Sequence, residues 1–298
     1  MGRLPALAAL WGEDAVKILS WNIQRGRGKD GRCSIGRFVE DMQAIADADV
    51  FCLQEVSAGH IDLAGCDGAD QFAQLAQHLP GFTPVAAVAS DTLGEGGARR
   101  LFGCMILSRL PVLQAFRHSL PWPADPAVMS MQRVALEVTL DTPIGPLRVS
   151  TTHLEYFSQL QRSAQVQRLR ELHGEASGHA HQPRPGEANA GPFAATPRAA
   201  RAILTGDFNF APRSAEYQRL QSRFHDQTHP YLDAWRLVHA GQPHAPTVCL
   251  HDKPERRADP FTSDFIFVTD DLSEQIRRLD VVSEDLGPDH QPLVVQIG

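Results

Sequence analysis

Apolar residues in the first third of the chain recur at two alternating periods, and the switching between them predicts strands alternating with helices. Short β-type runs at 16–21 and 49–54 enclose a helical pattern at about 34–47, and a second helical pattern follows at about 68–79. This is the order of a parallel βαβ unit. From there the helical period disappears. Successive strands are expected near 82–88, 102–108, 131–140 and 146–152, the last two joined by a hairpin turn at Thr142-Pro143-Ile144-Gly145. Antiparallel pairing is expected in that stretch. A helix at about 157–173 leads into residues 174–200, rich in Gly, Ala, Pro and His and read as a mobile surface insertion. A strand at 202–206, helices near 214–222 and 231–239, and strands at 263–268, 277–283 and 292–297 complete the pattern.

The apolar runs end in polar groups of one kind. Ala202-Ile203-Leu204-Thr205-Gly206-Asp207-Phe208-Asn209 is the most informative, because side chains alternate along an extended backbone and Asp207 and Asn209 then point the same way. Phe208 faces the interior, and Gly206 lets the backbone approach whatever the two polar groups hold. Ile18-Leu19-Ser20-Trp21-Asn22, Val50-Phe51-Cys52-Leu53-Gln54-Glu55 and Leu147-Arg148-Val149-Ser150-Thr151-Thr152-His153 end similarly. Asp264 opens an apolar run, and Asp289-His290 precedes the last one. Taken singly, each has an ordinary explanation. Asp and Asn after a strand form turns, Asn22 could be one such amide, and Glu55 could begin a helix. A lone His153 is more often a satisfied histidine than a catalyst. Asp264, within an apolar strand, needs a partner under any reading. It is the conjunction that calls for a site.

Length and composition bound that reading without changing it. With 298 residues and 43% hydrophobic content the chain can bury a large core, and no linker-like stretch divides residues 1–298, so a single domain is expected. A net charge of −7 gives no global attraction to polyanions, so strong affinity for duplex DNA is not expected. Five cysteines, an odd number without Cys-x-x-Cys spacing, read as thiols in a reducing compartment. The apolar stretch at 4–11 is too short to span a membrane and lacks a cleavage site, and no integral membrane segment is expected. These features predict a cytoplasmic monomer.

Acids, amides and histidines gathered at strand ends suit a hard divalent cation held beside a phosphate, with water activated for attack. Mg²⁺ takes oxygen ligands, keeps several waters and needs only one or two carboxylates. Glu55 and Asn22 would supply such a shell. Zinc is disfavoured, because no His-x-x-x-His or Cys pair offers its usual ligands.

In this order the motifs resemble the endonuclease/exonuclease/phosphatase superfamily, metal-dependent phosphoesterases related to pancreatic-type deoxyribonuclease, abasic-site endonucleases, neutral sphingomyelinases and inositol polyphosphate phosphatases. The resemblance runs from Ser20-Trp21-Asn22-Ile23 through Leu53-Gln54-Glu55-Val56, Thr152-His153-Leu154-Glu155 and Gly206-Asp207-Phe208-Asn209 to Asp289-His290. It implies an α/β fold, a four-layered α/β/β/α sandwich of two facing mixed sheets. It also implies a metal ion, Mg²⁺ or alternatively Mn²⁺, held by Glu55, Asn22 and Asp289. By the same resemblance Asp207 orients or deprotonates the attacking water, and Asn209 steadies it. His290 hydrogen-bonds the phosphate with Asp264 fixing its tautomer, and His153 is a second phosphate histidine able to protonate the leaving oxygen.

Substrate choice is less legible. Phe210-Ala211-Pro212-Arg213 follows Asn209 where inositol polyphosphate phosphatases carry Tyr-Arg, and Pro260-Phe261-Thr262-Ser263-Asp264 lacks the arginine that commonly precedes this aspartate in abasic-site endonucleases. The reading reached is a phosphodiesterase acting on a small or lipid-derived phosphodiester, with a nuclease as the alternative and a silent binding module as the alternative of another class. Gly26-Arg27-Gly28-Lys29-Asp30-Gly31 lacks the Gly-Lys-Ser/Thr ending of a phosphate loop and reads as a surface turn, with Arg25 and Arg27 open to substrate contact. Residues 91–100 read as a flexible loop, solvated or placing Glu95 against His153 and Arg99 or Arg100 against a phosphate.

Overall fold

The structure, a computed structural model, describes residues 15–183, 185, 191–251 and 259–298; the apolar stretch at 4–11 and part of the 174–200 insertion lie outside the described residues. Two six-stranded sheets face one another. The first has strand order β11-β12-β1-β2-β4-β3, built from β1 (Val16–Asn22), β2 (Val50–Ala58), β3 (Thr83–Leu93), β4 (Arg99–Ser108), β11 (Ile276–Val281) and β12 (Leu293–Ile297). The second has order β5-β6-β7-β8-β10-β9, built from β5 (Val112–Ser119), β6 (Val134–Leu140), β7 (Leu147–His153), β8 (Ala202–Asp207), β9 (Tyr231–Asp233) and β10 (Asp264–Thr269). Each sheet is mixed. Its two central strands, β1 with β2 and β7 with β8, are parallel, and the flanking pairs are antiparallel.

Strand alternation explains the layering. In β1, Ile18 faces the space between the sheets, where it meets Val50, Cys52, Ile106, Val149 and Ile266 in one cluster. Leu19 and Trp21 face the other way, onto helix α1 (Ile35–Ile45), whose Phe38 and Met42 join them. Helix α2 (Gln71–His78) adds Leu75 to that layer. On the far side of the second sheet, Leu204, Phe265 and Phe267 pack on Val166 and Leu169 of α3 (Gln159–His181) and on Tyr217 of α4 (Ala215–Leu220). Both faces of the central strands are therefore covered, which is why they read as nearly continuous apolar runs. The result is the expected four-layered α/β/β/α sandwich.

Several elements differ from expectation. Strand β5 was not legible. The 174–200 insertion is helical in its first eight residues, since α3 continues to His181 with Ala176 and Ser177 buried. Burial of that face outweighs the low helix propensity of Gly174 and Gly178. The predicted helix at 231–239 is split. Tyr231–Asp233 pairs with β10, and Asp233 then caps helix α5 (Ala234–Val238), accepting from Trp235 N. Residues 91–100 form a hairpin end, with β3 reaching Leu93 and β4 beginning at Arg99.

Candidate active site at the strand-end edge

The parallel pairs in the two sheets terminate at the same edge. Asn22 ends β1, Glu55 sits near the end of β2, His153 ends β7 and Asp207 ends β8. In open α/β sheets ligands bind beyond the carboxyl ends of parallel strands. Asp264 arrives from the antiparallel neighbour, where it is the register partner of Asp207. Asp289 and His290 come from the segment before β12, whose backbone is fixed by Cys249 N donating to Asp289 O and Trp21 Nε1 donating to His290 O, at 3.0 and 2.9 Å.

Asp207 is the centre of the cluster. Its Oδ2 accepts from Asn22 Nδ2 at 3.1 Å and lies 3.4 Å from His153 Nε2 and 3.7 Å from His290 Nε2. Its Oδ1 accepts from Asn209 N at 3.1 Å. Asp207 is buried, and that burial, offset in part by His290, raises its carboxyl to about 7. Its pKa thus lies near neutrality, where a group can both take and release a proton.

The two histidines are shifted in opposite directions. Burial alone would depress His290, but Asp264 and then Asp207 outweigh it and hold the ring well above the ordinary histidine value. Asp264 receives His290 Nδ1 at 2.9 Å and is itself fixed by Thr247 Oγ1 at 2.7 Å and Ser263 Oγ at 3.3 Å. His153 has only burial and the nearby positive charges of Arg133 and His290, and is held well below the ordinary value. At neutral pH the site therefore pairs a charged His290 with a neutral His153. The neutral ring can donate or accept a hydrogen bond but has no surplus proton.

Glu55 adopts a left-handed backbone with φ 59°, at a register shift between β2 and β4. This bulge turns its carboxylate toward the edge. Oε1 accepts from Asn22 Nδ2 at 3.2 Å, and Oε2 pairs with Arg25 Nη1 at 2.8 Å. Asn22 thus links Glu55 to Asp207 through its amide nitrogen, while its oxygen accepts from Gln24 N at 3.1 Å. Asp289 is raised by burial and also by the Glu55 charge, which places the two acids in one electrostatic neighbourhood; its Oδ2 accepts from Gln24 Nε2 at 2.8 Å. The two carboxylates are oxygen donors of the sort a hard divalent ion takes, and Asn22 would add a third oxygen with its amide turned over, so the residue types fit Mg²⁺ or Mn²⁺ by chemistry. Among the described residues, ligand atoms of Asp207, Asp264 and His290 also lie within 4.8 Å of one another, but the histidine in that group is already engaged by both acids.

All eight residues singled out in the sequence reach this edge, though Asn209 does so by another route. The strand ends at Asp207, Asn209 has φ 51°, and its Nδ2 donates to Leu154 O at 2.9 Å. Gly206 also has a different role: with φ +143°, a Cβ there would stand 2.0 Å from Thr152 O, so the glycine permits close approach of β7, not of a ligand. Arg99 pairs with Asp91, Arg100 with Asp62, and Glu95 is exposed on the hairpin, so that loop contributes none of the contacts envisaged for it. Gln24, Thr247 and Arg133 are not evident from the sequence: Thr247 and Arg133 stand apart from the strand-end motifs, and the Asp289 that Gln24 holds is remote from it in the chain. Cavities of about 490 and 830 Å³ are lined by none of the candidate residues, whereas His153 borders a void of about 10 Å³.

A two-sheet sandwich with acids and histidines gathered at one edge defines a class of phosphoester hydrolases. The chain belongs to the Endonuclease/Exonuclease/phosphatase family, whose sequence pattern matches residues 19–283. No curated protein matches the sequence. Among solved structures, the fold is similar to an endonuclease/exonuclease/phosphatase from Beutenbergia cavernae, with TM-score 0.65 and 20% identity over 96% of this chain and 72% of that one. It is similar to a mannosyl-6-phosphatase from Bacteroides thetaiotaomicron, with TM-score 0.64 and 17% identity over 95% and 100% of the two chains. The catalytic domain of human Nocturnin, solved with a bound sulfate anion, superposes with TM-score 0.63 and 19% identity over 96% and 93%. No helix among the described residues is long and apolar enough to cross a membrane.

Proposed function

We propose that the protein is a divalent-metal-dependent phosphodiesterase that hydrolyses a small or lipid-derived phosphodiester by in-line attack of water. The observation that carries the reading is Asp207, buried at the end of β8 with the Asn22 amide at 3.1 Å and the rings of His153 and His290 at 3.4 and 3.7 Å. Asp207 would take the proton of the attacking water, and Asn209 would hold that water. His290, charged and anchored by Asp264, would bind the phosphate and supply the proton for the departing oxygen. His153, neutral, would hydrogen-bond a non-bridging oxygen. Glu55, Asp289 and Asn22 would hold Mg²⁺ or Mn²⁺, with Asn22 linking Glu55 to Asp207. When bound, such an ion supplies Lewis acidity to the phosphate and charge stabilisation to the leaving group.

The surroundings favour a substrate with an apolar substituent. Tyr156, Phe157 and Leu160, which follow His153 closely in the chain, are 56, 52 and 55% exposed. Exposed aromatic surface beside a site is a place for an apolar group, whereas duplex recognition calls for clustered Lys and Arg. The test is hydrolysis of bis(p-nitrophenyl) phosphate and of p-nitrophenyl phosphate with Mg²⁺ or Mn²⁺ and with a chelator. Metal-dependent turnover that prefers the diester supports the proposal. Turnover of neither ester would remove it and favour a binding module.

A further inference from the structure

The two loops flanking the Glu55 side of the edge each carry a cysteine. Cys33 Sγ lies 3.0 Å from Cys66 Sγ, about 1 Å more than a disulfide bond of about 2.05 Å. Among the described residues no disulfide is present. We propose that Cys33 and Cys66 form a site of reversible oxidative modification, closing to an intramolecular disulfide beside the active edge.

Backbone contacts hold the two segments together beneath the thiols. Cys33 N donates to Gly65 O at 2.9 Å. A Cβ on Gly65, whose φ is +84°, would meet Gly31 O at 2.0 Å, so the two loops approach to a separation that only glycine tolerates. Cys33 also forms an isolated β-bridge with Arg27. Both cysteines are partly exposed and accessible to a small oxidant, unlike Cys52 and Cys104, which are buried.

The oxidant is a low-molecular-weight disulfide such as glutathione disulfide. A thiolate of the pair attacks one of its sulfurs, forming a mixed disulfide and releasing one small thiol. The second protein thiol gives up its proton and displaces the other small thiol, so two protein thiols are oxidised and one disulfide is reduced to two thiols. The product ties the segment carrying Gln24 and Arg25 to the segment following β2. Gln71 already joins those parts, donating to Arg25 O at 2.7 Å and accepting from Ser57 N at 3.1 Å.

The experiment treats the full-length protein with glutathione disulfide, quenches with acid, alkylates under denaturing conditions and measures intact and peptide masses. The proposal expects loss of the alkylated forms of the Cys33 and Cys66 peptides, a peptide pair joined through the two residues, and full reversal by dithiothreitol. Cys33→Ser and Cys66→Ser should each retain one glutathione on the remaining partner and form no cross-link. Cys33 and Cys66 both still alkylatable after treatment, separate glutathione adducts on both in the unmutated protein, or a Cys33 cross-link to another cysteine in the Cys66→Ser variant would overturn it. The readout is independent of phosphoester hydrolysis.

Discussion

His290 Nδ1 stands 2.9 Å from Asp264 Oδ2, and its other nitrogen faces Asp207 at 3.7 Å. One ring thus bridges two acids that are register partners on adjacent strands. The bridge keeps His290 protonated and lets two buried carboxylates stand side by side. Replacing Asp264 with Asn keeps the shape and removes the charge. We expect kcat for diester hydrolysis to fall by about 10²-fold or more with KM little changed, and the pKa of His290, followed by NMR, to drop. Unaltered kcat would detach Asp264 from the reaction.

Arg25 already occupies the carboxylate that the proposed metal ion would use. The Arg25 guanidinium pairs with Glu55 at 2.8 Å, and both side chains are largely shielded from solvent. Arg25→Ala should tighten Mn²⁺ binding in calorimetry by about 5-fold, equivalent to about 1 kcal/mol. Glu55→Gln should weaken it by more than about tenfold. Weaker binding in Arg25→Ala would mean that the arginine supports the metal site instead of opposing it.

Stability should depend on pH through His173, which lies beneath the second sheet. Its Nε2 donates to His229 O at 2.8 Å and its Nδ1 accepts from Arg148. Burial, and then the Arg148 charge, push it down to about 3, against about 6.5 in an unfolded chain. Between those values the unfolded chain binds the extra proton. The contribution of this group is complete above about pH 6.5 and is lost as pH falls toward 3, on the order of 3 kcal/mol between pH 7 and 4. Denaturant titrations across that range should show a shallower decline in His173→Gln than in the unmutated protein; equal slopes would show that His173 is protonated in the native state.

Gly206 is the backbone hinge on which Asp207 sits. Gly206→Ala would force a Cβ against Thr152 O at a φ that other residues avoid. It should cost more than about 2 kcal/mol in urea unfolding. A loss within about 0.5 kcal/mol, the range of ordinary surface changes, would mean that β7 and β8 separate freely.

Sequence periodicity revealed the central strands because both of their faces are buried. It missed β5, where Gln114, Arg117 and His118 interrupt the apolar pattern and several side chains are half-exposed at the sheet edge. An edge strand is defined by its partner, here β6, and leaves little local trace. The site was legible for a related reason. Asn22, Glu55, His153 and Asp207 end apolar runs, so their residue types stand out against what precedes them. Thr247 and Arg133 follow no such run, and only the folded sheets bring them to the edge; Gln24 lies two residues past Asn22, but only the fold sets it against Asp289. The backbone at Asn209 could not be read either, since its turn conformation depends on the hydrogen bonds to Asp207 and Leu154.

The central claim is that Asp207 takes the proton of the attacking water. Asp207→Asn keeps the side-chain volume and one hydrogen-bonding oxygen while removing the base. The most direct measurement is single-turnover hydrolysis of bis(p-nitrophenyl) phosphate with Mn²⁺ by this variant, its folding checked by circular dichroism. The predicted result is a rate lower by about 10²- to 10⁴-fold at pH 7 with native folding. A rate equal to that of the unmutated protein would contradict the account.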